Sequence, residues 1–263
     1  MLATYAPYLG LAAGLTQLIG YFIYYRLVVR KEGKEAEPLT WFMFAYGTAI
    51  LTILEFDSMV SEATRVWTWL HVGEVLLLPL VCSSGAIFVA YTIWRTHYNA
   101  TKRRWLKEWT VNWKTVNGFA FGVDLILTIL YTSLWVIATF FVVSDWWYEA
   151  LVLAFLAASN ATTFPNFAPI LQKAWEKPEE EDARPWFIWG AAYSFLLFPT
   201  YNFASNDVVW PTTWRPSDWE LSFWTLLALM SYPAINAVMH SLMGVIAARP
   251  ARKAKGEVMN PAE

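Results

Sequence analysis

Three features of this 263-residue sequence predict an all-α integral membrane protein of seven transmembrane helices, built as two parallel three-helix repeats around a linker helix in a 3+1+3 plan. The first is composition: 57% of residues are hydrophobic and 15% charged, against roughly 25% charged in a soluble domain. The second is charge spacing, since seven stretches carry no Asp, Glu, Lys or Arg: 1–25, 38–54, 75–94, 125–144, 150–172, 185–206 and 221–248. Each is close to the ~20 apolar residues that span a bilayer, or ~17 at the short end. The third is a likeness between the first three and the last three of these stretches.

The first helix is expected near 4–28. It lacks a basic segment before its apolar run and a clear small-residue cleavage site, so it is read as a retained span rather than a cleaved signal. The second, near 38–57, opens on Pro38, favourable where the missing N–H needs no partner. The third, near 67–95, follows Trp67 and Trp69, and the fourth, near 118–143, follows the basic loop 102–114. The fifth, near 147–174, starts beside Trp146, Trp147 and Tyr148. The sixth, near 185–204, opens on Pro185, and the seventh, near 219–248, follows Trp210, Trp214 and Trp219. Aromatic clusters at outer helix ends match interfacial anchoring. Residues 249–263 are left as a cytoplasmic tail.

Seven spans put the 1–2, 3–4 and 5–6 connections on the same side as the C-terminus. Of the 19 Lys and Arg residues, all but Arg65 and Arg215 fall on that side. Basic residues are retained in the cytoplasm during insertion, so the N-terminus is expected outside and the C-terminus inside a multi-pass cell membrane protein. A net charge of −2, with no basic run apart from membrane flanks, excludes a nucleic-acid partner. The one cysteine, Cys82, cannot form an internal disulfide.

Sliding the sequence by 147 residues pairs Pro38 with Pro185, Ala45 with Ala192, Tyr46 with Tyr193 and Phe56 with Phe203. A slide of 146 pairs Thr16 with Thr162, Leu18 with Phe164, Gly20 with Asn166 and Tyr21 with Phe167. The one-residue difference falls in the basic loop, where insertions cost little. Residues 4–95 and 147–248 are therefore read as the two repeats, and the odd fourth helix lets both insert with the same orientation.

The stretch Asn160-Ala-Thr-Thr-Phe-Pro-Asn166-Phe-Ala-Pro169-Ile-Leu-Gln-Lys173, followed by a charged loop and Pro185-Trp186, resembles the repeat signature of the PQ-loop and SWEET transporter superfamily. In that family a Pro-Gln dipeptide in the first helix of a repeat precedes a polar loop and the next helix. Here the dipeptide is Pro165-Asn166, and Ile19-Gly20 stands at the corresponding place of the first repeat. The resemblance, that of a distant branch, implies passage of a small polar solute through a pocket between the repeats by alternating access. It also implies that Asn residues on the third helix of each repeat and aromatic residues on the second line that pocket. Asn236 matches this pattern, while the repeat-related region of the third helix carries Cys82, Ser83 and Ser84.

Ionisable groups inside a bilayer are costly unless paired or hydrated, so each is a candidate for function. The sequence offers Glu55, His71, Glu74, Asp124 and His240, with Gln17, Asn160, Asn166, Asn202 and Asn236 as neutral polar groups. His71 and Glu74 are spaced i, i+3, where a carboxylate accepts a hydrogen bond from the imidazole; they are read as proton-coupling candidates or as a buried structural pair. Glu55 is matched by the repeat to Asn202 and stands either in a lopsided solute site or at the outer interface. Asn236 is read as a solute ligand or as half of an interhelical hydrogen bond. Tyr46 and Tyr193 offer two aromatic faces. Pro165, Pro199 and Pro233 each remove a helical hydrogen bond and are candidate hinges. The substrate-binding set is thus Asn236, Asn202, Glu55, Glu74, Tyr46, Tyr193 and Asn166, lining a water-accessible cavity.

A retinal pigment needs a Schiff-base lysine in the last helix, and 216–252 has none. No metal-ligand cluster, phosphate loop, nucleophile elbow or dinucleotide fingerprint is present, so neither an enzyme nor a metal or other cofactor is expected. The expected partners are the lipid bilayer and a small polar solute, with a homo-oligomer allowed. The reading set beside transport is a non-transporting seven-helix membrane subunit or sensor that binds a partner, lipid or pigment.

Overall fold

Apolar runs of this length satisfy their backbone polar groups within one segment only by coiling into helices. The computed structural model describes residues 5–30, 38–62, 66–101, 112–205, 208, 211 and 220–250. Those residues form seven long helices and no strand: α1 Ala6–Arg30, α2 Pro38–Glu62, α3 Val66–Thr101, α4 Val116–Phe140, α5 Asp145–Glu176, α6 Ala183–Ala204 and α7 Leu221–Ala247. A 3₁₀ turn, Pro178–Glu180, joins α5 to α6. The expected boundaries marked where charge begins, but α2 and α3 run several residues further, because Glu55, Asp57 and Arg95 end an apolar run without ending a helix. Two starts are capped by side chains, which satisfy amide groups that have no partner inside the helix. Thr115 accepts from the Gly118 N–H and Asp182 from the Arg184 N–H.

Five segments, Ala6–Arg30, Gly73–Thr96, Gly118–Phe140, Asp145–Glu176 and Leu221–Ala247, are long and apolar enough to cross a membrane. Seven spans were expected; seven helices form, and α2 and α6 stand outside this group of five. Half of the 22 residues of α6 are buried, among them Trp186, Trp189, Tyr193, Pro199 and Thr200. Aromatic and polar side chains on a buried helix meet protein, so the helix needs less hydrophobicity. On the outside, α1 exposes Leu11, Leu15, Leu18 and Phe22, and α4 exposes Ile126, Ile129, Leu130 and Trp135. An apolar exterior of this extent suits hydrocarbon and not water.

The helices pack in a closed order. Within α1 to α3, the third helix lies between the other two; within α5 to α7, α7 lies between α5 and α6. Where these triplets meet, α1 packs along α6 and α2 along α5, with α3 also touching α6. Helix α4 stands outside the six, against α5 and α2. The largest fully buried side chains, Trp189, Tyr193, Tyr232 and Phe167, all sit on α5, α6 and α7.

Candidate functional site

The widest concentration of buried aromatic rings lies where α1 and α2 face α5, α6 and α7. Spacing of three to four residues puts side chains on one face of a helix, and three of the helices contribute such a pair. Trp41 and Phe44 come from α2, Phe167 and Ile170 from α5, and Trp186 and Trp189 from α6, with Tyr21 of α1 and His240 of α7 completing a pocket. Its volume is about 10 Å³, near the ~10–15 Å³ minimum for one water.

His240 is fully enclosed. Its ring is stacked on Tyr193 with centroids 5.0 Å apart and meets Phe167 edge-on at 4.8 Å and Trp189 at 5.8 Å. His240 Nδ1 lies 2.8 Å from the Asn236 carbonyl oxygen. A carbonyl only accepts, so the neutral ring carries its proton on Nδ1 and leaves Nε2 as an acceptor.

Beside this pocket lies a polar cluster drawn from four helices. The Tyr193 hydroxyl donates to Cys82 Sγ at 3.2 Å, Tyr21 Oη lies 3.3 Å from the same sulfur, and Tyr193 and Tyr232 share a hydrogen bond of 3.1 Å. Gln17 adjoins them, fully buried, with neither amide atom hydrogen-bonded. Glu55 is buried too and leaves Oε2 without a partner, as Thr200 leaves its hydroxyl. Buried polar atoms left unpaired cost on the order of 1–3 kcal/mol each.

A second polar cluster forms at the contact of α2, α4 and α5. Thr162 donates to Asp124 Oδ1 at 3.0 Å, and Asp124 Oδ2 has no partner. Tyr46 donates to Thr128 at 2.8 Å, one turn further along α4.

The expected site residues divide among these places. Tyr193 adjoins the pocket through its stacking on His240, and Asn236 through its backbone carbonyl, 2.8 Å from His240 Nδ1. Tyr46 does not face Tyr193 across a cavity: it follows Phe44 by two residues, which rotates it by about half a turn, and its ring packs edge-on against Phe121 of α4. Asn166, one residue before Phe167, is turned the same way and lies near Gly47 and Asp124. Asn236 is buried, but its amide donates to the Tyr232 carbonyl of its own helix at 3.0 Å, so the interhelical bond is replaced by an internal one. Asn202 is half-buried near the end of α6 and Glu74 half-buried on α3, against α1. Glu55, Glu74, Asn202 and Asn236 do not line the aromatic pocket, whose walls are aromatic rings, Ile170 and His240. The side chain of His71 lies outside the described residues, as do those of Trp67, Trp69, Trp210, Trp214 and Trp219, loop 102–111 and most of the tail. Pro165, Pro199 and Pro233 all stand inside continuous helices. Among the described residues, no group of His, Cys, Asp and Glu is arranged to hold a metal ion.

Sequence reasoning passed over Trp41, Trp186, Trp189 and the contact of Tyr21 and Tyr193 with Cys82. One signal was available: Tyr21 and Phe167, matched by the 146-residue slide, both line the pocket. Comparison with protein-family models, curated proteins and solved structures gave no match for this chain.

Proposed function

We propose that this chain is a seven-span carrier of the cell membrane, N-terminus outside, in which two parallel three-helix units related to the PQ-loop and SWEET plan move a small polar solute between them. The observation that carries this reading is the position of the aromatic pocket, between α1 and α2 of one triplet and α5, α6 and α7 of the other. Exchanging the triplets turns the α1–α6 contact into the α5–α2 contact, and each triplet has its third helix in the middle, as a pseudo-twofold repeat requires.

The pocket's chemistry defines a substrate class. Indole and phenyl faces stack on a flat or hydrophobic face, while His240 Nε2, the Tyr hydroxyls and the Gln17 amide supply donors and acceptors to its edge. A solute with one apolar face and a hydroxylated or amide edge fits this arrangement. At about 10 Å³ the pocket is contracted, and alternating access requires a wider state to admit the solute.

A volume of about 10 Å³ also favours the second reading, a packed membrane subunit or sensor that moves nothing. Uptake by proteoliposomes across sugars, amino acids and vitamins separates the two. Transport predicts saturable uptake of at least one class, reduced several-fold by Tyr193→Phe and by Asn236→Ala. Absence of uptake by folded protein for every class, with a lipid or pigment retained through purification, favours the subunit.

A further inference from the structure

One buried acid is not used by the aromatic pocket. Asp124 lies on α4, the helix outside the ring, and is 1% exposed. Its Oδ1 accepts from Thr162, whose hydroxyl oxygen also lies 2.7 Å from the Ser159 carbonyl on its own helix. Its Oδ2 has no hydrogen-bond partner and faces α2 at Gly47, where an added Cβ would stand 2.8 Å from that oxygen. The Asn166 amide lies beyond it, 3.9 Å from the same Cβ position. Among the described residues no Lys, Arg, Asp or Glu of α2 or α5 acts on Asp124, and Tyr46, the titratable group of α2 in this region, gives its proton to Thr128.

A charged carboxylate here would leave one oxygen against a glycine with no counter-ion among the described residues and only the Asn166 amide as a neighbouring donor, which a low-dielectric site disfavours. The contact with Gly47 leaves no space for a hydrated metal ion. A proton is the cation that fits.

We propose that Asp124 is a proton-binding site, loaded in this conformation and emptied when α2 moves away from α4. On emptying, the carboxyl O–H bond breaks, its electron pair stays on Asp124 and the proton passes to water entering along α2; no electron is transferred. The carboxylate that remains is stabilised by Thr162 and by the Asn166 amide, which is free to turn onto Oδ2 once Gly47 withdraws. Because α4 touches both α2 and α5, loading holds the two units together and emptying releases them. The coupling rests on the carrier reading, whereas the proton site does not.

Infrared difference spectroscopy of the protein in lipid tests the site without any substrate. The carboxylic C=O band at mildly acid pH should shift in Thr162→Val, and one component should vanish in Asp124→Asn. Glu55→Gln, which removes the other buried acid, should leave that component in place. Identical spectra for Asp124→Asn and the parent at every pH would overturn the proposal. Should Asp124→Asn fail to fold, the Thr162→Val shift decides alone, and its absence counts against the site. In proteoliposomes with an imposed pH gradient, Asp124→Asn should abolish the gradient's effect on net uptake, a loss of about fivefold or more for coupled sites, while solute exchange without a gradient persists. No uptake by the parent, with the infrared component present, defeats the carrier reading and leaves the proton site standing.

Discussion

The two seams that close the helix ring differ in how they are held. Along α1 and α6 the contact is aromatic and tight: Trp189 meets Tyr21 at 5.0 Å and Tyr24 at 5.6 Å, and its indole N–H donates to the Gln17 carbonyl at 3.3 Å. Gly20 makes room for it, since a Cβ there would overlap the indole ring. Along α2 and α5, Phe44 and Phe167 touch at 6.2 Å, and α4 wedges in with Asp124, Thr162, Tyr46 and Thr128. The first contact is thus a tight aromatic seam and the second a polar one with buried hydrogen-bonding groups. Movement, if the units rock, is expected to open the second seam.

The sharpest way to break this contrast is Trp189→Ala, which empties a fully buried site of the stiff seam. It should cost about 3–5 kcal/mol in unfolding free energy, measured by denaturant titration in detergent. Gly20→Ala should cost about 1–3 kcal/mol by overpacking, and combining it with Trp189→Phe should recover part of that loss. If Gly20→Ala is neutral, the stiff seam yields more readily than its packing implies. On the polar seam Thr162→Val removes one buried hydrogen bond to Asp124 and should cost about 1 kcal/mol. Tyr46→Phe should cost least, about 0.6 kcal/mol, the mean for a hydrogen bond between helices in a bilayer. If that last loss exceeds the cost of Gly20→Ala, the ranking of the seams is reversed.

Helix number and position were legible because charge-free length and helical geometry act locally, so 1–25 and 221–248 announce α1 and α7 without reference to the rest of the chain. Helix ends were less so: Arg95 ends an apolar run, yet α3 continues to Thr101. Tyr193 was named from sequence, but its partners Cys82, Tyr232 and His240 lie on two other helices. Asn236 was read as a solute ligand or as half of an interhelical bond, and its amide bonds one turn back, because a mid-helix amide can satisfy itself on the carbonyl four residues before it.

The sequence by itself determined a seven-helix chain with an apolar exterior and a similarity between its two ends, since hydrophobic length and period are properties of consecutive residues. Only the tertiary structure decided which face of each helix looks inward: Phe44 toward the pocket and Tyr46 toward α4, Phe167 toward His240 and Asn166 toward Asp124. In an almost uniformly apolar chain the contrast between faces is too weak to fix rotation about the helix axis. That rotation is set by how large rings such as Trp189 and small residues such as Gly20 and Gly47 fit against a neighbouring helix.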